Sequence, residues 1–168
     1  ILLSITALLS NFVFAQIPGI GEWRTHMPYD RVNDVAIADN LIYAATPYNM
    51  FTYNTLDNSI ERFDKVKGLS SVGITKIAYH KGLKEVLVAY SNANIDIIDN
   101  DQNVINISDI KDKDILGNKT INNILFKDNM AYLSCGFGIV VLDLEKREIN
   151  DTYYIGSEGS AVNVMDIA

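Results

Sequence analysis

Short apolar runs with polar residues interleaved return on a fixed schedule along this chain. One phrase opens each round: Val32-Asn-Asp-Val35-Ala-Ile37, Ile74-Thr-Lys-Ile77-Ala-Tyr79, Ile121-Asn-Asn-Ile124-Leu-Phe126 and Val162-Asn-Val164-Met-Asp-Ile167. The spacings are 74−32=42, 121−74=47 and 162−121=41 residues. Behind each opening phrase comes a second strand-like run: Asn40-Leu-Ile-Tyr-Ala-Ala-Thr46, Lys84-Glu-Val-Leu-Val-Ala-Tyr90 and Asn129-Met-Ala-Tyr-Leu-Ser-Cys135. A third follows, at Met50-Phe-Thr-Tyr53, Ile95-Asp-Ile-Ile-Asp99 and Gly138-Ile-Val-Val-Leu-Asp143. The fourth is more polar: Ser59-Ile-Glu-Arg-Phe63, Asn103-Val-Ile-Asn-Ile107 and Glu148-Ile-Asn-Asp-Thr-Tyr-Tyr154. Asp, Asn, Gly and Lys fill the gaps, as hairpin turns require.

Four short strands per round of forty-odd residues predict an all-β fold, the β-propeller, with one four-stranded blade per repeat. The first strand of each blade lines the centre, the second and third pack against neighbouring blades, and the polar fourth meets water at the rim. Val35, Ile37, Ile77, Ile124, Leu133, Val141 and Leu142 are expected to be buried between blades. Ala44, Ala45, Ala89 and Ala131 suit close packing of twisted sheets. No stretch carries a sustained helical period, so helices should be few. Three blades and a fragment cannot close a ring, so a truncated arc is expected, the front portion of a longer protein.

The start, Ile1 to Ala15, is apolar and uncharged, with Val13 and Ala15 placed as signal peptidase requires before Gln16. It reads as a secretory signal peptide whose initiator Met and basic n-region are missing. The segment containing Glu22-Trp23-Arg-Thr-His-Met27 occupies the place of the outer strand that precedes each later inner strand. It is expected to close the ring by completing the last blade, with Trp23 packed there. The resulting division is 1–15 signal peptide, 16–31 closing strand, 32–73 first blade, 74–120 second, 121–161 third, and 162–168 the start of a fourth.

Composition narrows the function. With 48% apolar residues the chain has enough to build a core. Fourteen Lys and Arg against 21 Asp and Glu give a net charge of −7. The basic residues are scattered, which excludes a nucleic-acid partner, because phosphate binding needs them clustered. Cys135 is the only cysteine; it can form no intrachain disulfide and reads as a small core residue. No lipobox cysteine follows the leader, and the segment after it contains no transmembrane helix.

Candidate chemistry is thin. Asp99-Asn-Asp101-Gln-Asn103 starts like a calcium loop, but Val104 replaces the turn glycine and Ile110 stands where the bidentate Glu belongs. A hairpin turn accounts for it. His26 and His80 lie in different strand contexts with no recurring second ligand or nucleophile. Asn106-Ile-Ser108, Asn118-Lys-Thr120 and Asn150-Asp-Thr152 fit the glycan acceptor pattern, which arises by chance in an Asn-rich chain. No catalytic, cofactor-binding or metal-binding residue is assigned, and no cofactor or enzymatic activity is expected.

Gly68-Leu-Ser-Ser71, just ahead of the second inner strand, resembles the G-L-S-x phrase of two-component regulator propeller repeats of Bacteroidetes; Gly156-Ser-Glu-Gly-Ser160 matches it loosely. Gly21-Glu-Trp-Arg-Thr-His-Met-Pro-Tyr29, running into Val32-Asn-Asp-Val35-Ala and Ile42-Tyr-Ala-Ala-Thr46-Pro, resembles the mature N-terminus of PorZ-type proteins of the type IX secretion system. That resemblance implies a non-enzymatic propeller at the outer-membrane surface. Its partners would be the sortase-type attachment complex proteins and a lipopolysaccharide or other glycan. The other reading is a periplasmic glycan-sensing propeller of a hybrid two-component regulator.

Overall fold

The computed structural model describes His26, residues 28–115 and residues 117–168. The expected signal peptide and, of the expected closing segment 16–31, all but His26 and residues 28–31 lie outside these residues, Trp23 included. Three four-stranded antiparallel sheets form, each a meander in which sequence neighbours are spatial neighbours. The first holds β1 (Asp34–Ala38), β2 (Leu41–Ala45), β3 (Met50–Asn54) and β4 (Ile60–Phe63). The second holds β5 (Ile74–His80), β6 (Glu85–Tyr90), β7 (Ile95–Ile98) and β8 (Val104–Ile107). The third holds β9 (Ile121–Lys127), β10 (Met130–Cys135), β11 (Gly138–Asp143) and β12 (Glu148–Tyr153). The described helical structure is one turn, α1 (Asp109–Asp112), and a 3₁₀ turn at Ser157–Gly159.

The hairpins follow one recipe. At the end of each third strand an Asn or Asp side-chain oxygen accepts the N–H two residues on: Asn54 from Leu56 at 2.9 Å, Asp99 from Asp101 at 2.8 Å and Asp143 from Glu145 at 3.0 Å. This is the Asx turn, in which a short carboxylate or amide replaces a backbone acceptor. Asp99 also takes the Asn103 N–H at 2.9 Å, so the Asp99–Asn103 run is the β7–β8 hairpin. Each of these loops ends near a residue with left-handed backbone: Asn58 (φ 59°), Gln102 (φ 65°) and Arg147 (φ 61°).

The sheets pack face to face, with β1 against β5 and β5 against β9. Met50 and Ala45 from the first sheet, with Leu69 from the crossover that follows it, meet Ile77, Val88 and Ile98 of the second. Leu87, Ile95 and Ile97 on the second sheet's other face meet Ile121, Leu133 and Leu142 of the third. Every residue of β6 and β7 is buried, because the middle sheet is covered on both sides. The small residues fall where predicted, with Ala45, Ala89 and Ala131 fully buried.

Ile77, Leu133, Val141 and Leu142 are buried as expected, and Ile124 is partly so. Val35 and Ile37 are not: they are 49% and 71% exposed. The registers explain why. Val35 pairs with Ala44, Ile77 with Val88 and Ile124 with Leu133, so these three share one position; Ile37, Tyr79 and Phe126 share another. Both positions face the preceding sheet. The second and third sheets have one, and among the described residues the first does not. Ala36 and Ala38, on the opposite face of β1, are the buried ones.

A ladder of side-chain bonds ties the opening phrases together. Asn33 Nδ2 donates to Ile74 O at 2.8 Å, Thr75 Oγ1 to Ile121 O at 3.3 Å, and Asn122 Nδ2 to Val164 O at 2.7 Å. In each case the second residue of one phrase reaches the carbonyl that begins the next. Val164, not Val162, is therefore the structural counterpart of Ile74 and Ile121; it is buried, whereas Val162 is 40% exposed. The segment expected as a strand over Val162–Ile167 forms none among the described residues. It is held instead by Val164 N donating to Cys135 O at 3.0 Å and by Asn122 and Asn123.

Candidate functional site

Each seam between blades is built from equivalent positions, and the two seams differ at their hairpin ends. In the seam between the second and third sheets, His80 is buried; its Nδ1 accepts the Leu83 N–H at 3.0 Å and its Nε2 donates to Asp128 O at 2.7 Å. Its ring meets Phe126 edge-on, centroids 5.0 Å apart. Beside it, Arg147 from the β11–β12 loop forms a two-pronged pair with Glu85, one arm at 2.7 Å. Glu85 is 7% exposed, and its hydrogen bond raises the Arg147 guanidinium above its ordinary pKa. Such a fork matches both carboxylate oxygens at once. His80 is thereby a structural bridge between blades.

The seam between the first and second sheets has other residues at these places. Ala38 pairs with Leu41 as His80 pairs with Glu85, so Ala38 stands for His80 and Leu41 for Glu85. Gln102 stands for Arg147 and reaches Glu61 at the rim instead, Nε2 to Oε2 at 2.7 Å. Lys67 reaches the same carboxylate at 3.2 Å. The hydrogen bond from Gln102, ahead of Lys67, draws the Glu61 carboxyl below its ordinary range. A small residue and an aliphatic one thus replace an imidazole and an ion pair. What remains is a cleft of about 280 Å³ whose lining includes Ala38, Asp39, Leu41, Tyr43, Tyr79 and Lys84.

On the opposite end of the sheets run the long crossovers. The Gly68-Leu69-Ser70-Ser71 phrase lies in the first; Gly68 has φ +108°, and Leu69 is buried in the first seam. Ser70 N donates to Asp96 Oδ2 at 2.8 Å and its hydroxyl to Oδ1 at 2.5 Å. Tyr90 Oη donates to Asp96 at 2.6 Å and Asn106 Nδ2 at 2.9 Å. Asp96 is fully buried, so these four donors replace its water shell. Burial, then the neighbouring Asp96, pushes the Tyr90 phenol up. The phrase is a structural staple. The second crossover carries α1 and plugs Ile110 into the other seam.

Cys135 is buried, and loss of solvent pushes its thiol up to about 12. It stays protonated at neutral pH, as a core residue would. Asn106, one of the three glycan acceptor matches, spends its amide inside the Asp96 network. His26 is exposed and lies apart from His80 in the chain. Neither the Asp96 network nor the Glu85–Arg147 fork was read from the sequence, because each joins residues from separate strands. Asp96 breaking the apolar run of β7 was the available signal.

Meandering four-stranded sheets joined through their first strands define this chain as part of a β-propeller. The match to a family model described as the type IX secretion system PorZ N-terminal β-propeller domain spans residues 42–168. The chain belongs to that family. A solved structure of PorZ, a surface component of the type IX secretion system of Porphyromonas gingivalis, is similar at 32% identity and TM-score 0.69, over 73% of this chain and 16% of that one. An extracellular domain described as part of a hybrid two component system, BT4673 of B. thetaiotaomicron, is similar at 16% identity and TM-score 0.60, over 76% of this chain and 17% of that one. The WD40 repeats of RRP9 share the fold at 11% identity and TM-score 0.59, over 72% of this chain and 38% of that one. This chain spans about a sixth of the PorZ structure it matches. No curated protein matches it.

Proposed function

We propose that this propeller is a non-enzymatic scaffold of the type IX secretion attachment complex, exported through residues 1–15 and displayed at the outer-membrane surface. It contacts the sortase-type partner of that complex and, as a second ligand, an anionic lipopolysaccharide or other glycan. The observation that carries this reading is the 32% identity to PorZ over 73% of the chain, twice the 16% found with the two-component ectodomain. The physical character of the chain agrees. Its buried polar groups (Asp96, Glu85, His80) are engaged in joining blades and crossovers, and a stiff arc of this kind presents loops to partners. The domain division set out from the sequence accompanies this reading, with the segment 16–31 completing the last blade.

The glycan-sensing reading rests on the Gly68-Leu69-Ser70 phrase and on the shared fold with BT4673. Deletion of the gene in its own bacterium separates the two. The scaffold reading expects cargo proteins to lose surface attachment and to keep their C-terminal signals, with glycan-induced transcription intact. Normal cargo attachment with loss of a glycan-induced transcript would overturn it in favour of the sensor.

A further inference from the structure

Two phenols and a carboxylate line the cleft between the first two blades. Tyr43 is 8% exposed as a residue, and its hydroxyl, which makes no hydrogen bond to another described residue, is open to the cleft. Tyr79 provides a second phenol in the same cleft, and Asp39, in the β1–β2 turn, has a carboxylate without a hydrogen bond or ion pair among the described residues. Both phenols are raised above their ordinary pKa, mainly by burial. The fixed charges that add to this are Glu61 at Tyr43 and Asp39 at Tyr79. Lys84 is the one cation lining the cleft, at its exposed rim.

We infer that this cleft receives a cationic side chain, arginine or lysine, from a protein partner. Two phenols and a free carboxylate are the groups that replace water around a guanidinium or ammonium: the rings offer their electron-rich carbons, and the Tyr43 oxygen and the Asp39 carboxylate accept its hydrogen bonds. In the neighbouring seam the protein's own Arg147 fills the corresponding place against Glu85. The first seam has Gln102 there, turned away to Glu61, and Leu41 in place of Glu85, so no side chain of the protein fills that end of the seam; Asp39, in the β1–β2 turn, is the carboxylate beside it. An anionic ligand would face Asp39, and a neutral sugar would not depend on that charge. The cleft's chemistry is independent of which complex the propeller serves.

The test uses the full-length protein carrying 3-fluorotyrosine, with the Tyr43 fluorine signal assigned through Tyr43→Phe. The probe is the peptide acetyl-Gly-Arg-Gly-amide, titrated to millimolar concentration beside its citrulline counterpart, which has the same shape without the charge. The arginine peptide should shift the Tyr43 signal saturably, and the citrulline peptide should bind about tenfold more weakly. Asp39→Asn should weaken the arginine peptide by a similar factor, and Lys84→Ala should tighten it. Position 39 has φ 50°, which Asn tolerates, so that variant keeps its melting temperature. Equal binding of arginine and citrulline, no shift with arginine, or a shift with hexoses in its place would overturn the inference. So would an Asp39→Asn protein that binds the arginine peptide as tightly as the parent.

Discussion

The seam between the first and second blades and the seam between the second and third share a fold, a register and an apolar layer, yet one is open at its hairpin end and the other is closed. The apolar layers are alike because the same positions supply them: Ile77 and Val88 in one, Ile124 and Leu133 in the other. The ends differ through three substitutions among equivalent positions: Ala38 for His80, Leu41 for Glu85 and Gln102 for Arg147. A propeller can therefore hold its blades together without a polar clamp at the hairpin end and leave the seam ends free to be filled by its own residues or by a partner's.

If the core is the common element, truncating it should cost the same in both seams. Ile77→Ala and Leu133→Ala are each expected to destabilise the full-length protein by roughly 2–5 kcal/mol, the range for a deleted core side chain. Urea unfolding of the two variants checks this. A loss confined to Leu133→Ala would mean that the first seam is not packed as described.

The crossovers sharpen the contrast from the other end of the molecule. The first is fastened by a buried carboxylate and the second by an apolar plug. Asp96→Ala leaves the Tyr90 hydroxyl and the Ser70 N–H and hydroxyl without their acceptor, while Asn106 keeps Asn94 and Ile95, and should cost about 2–4 kcal/mol. Ile110→Ala should remove apolar packing only. Hydrogen exchange should then report loosening at Ser70 in the Asp96 variant alone; protection unchanged at Ser70 would contradict the staple.

The sequence made the blades legible for a physical reason. Alternation, Asx turns and a recurring opening phrase are local signals, and a meander pairs local neighbours. The Asp99–Asn103 run was read as a hairpin because a short carboxylate followed by small polar residues has that local preference. Contacts across seams were not legible, since Glu85 and Arg147 are separated by 62 residues and Ser70 and Asp96 by 26. Nor does a strand's sequence state which of its faces is covered. Val35 and Ile37 look like core, and their position in the repeat is a core position, but burial there requires a preceding sheet. Val162-Asn-Val164 imitates the opening, so local pattern places the fourth phrase two residues early; the Asn122 bond to Val164 and the burial of Val164 fix the register.

The smallest expected effect separates the blades by pH. Asp99 and Asp143 accept turn hydrogen bonds that hold their carboxyls below the ordinary range, while the equivalent residue of the first blade is Asn54, which does not titrate. A lowered carboxyl stabilises the fold above its unfolded pKa, near 4. That contribution is lost as pH falls through the lowered value. Between about pH 4 and pH 2, exchange at the Asp101 and Glu145 amides should accelerate beyond the intrinsic trend, with Leu56 unaffected. Equal acceleration at all three would show that the Asx carboxylates are not responsible.

The difference between the seams is measured most directly by a pair of double-mutant cycles in the full-length protein. One combines Glu85→Gln with Arg147→Met, and the other combines Leu41→Ala with Gln102→Ala at the equivalent places. A two-pronged ion pair beside a buried carboxylate should show a coupling of about 1–3 kcal/mol in the first cycle. In the second, additivity within about 0.3 kcal/mol is expected, since Gln102 bonds to Glu61 and not to Leu41. Coupling of the same size in both cycles, or none between Glu85 and Arg147, would contradict the account.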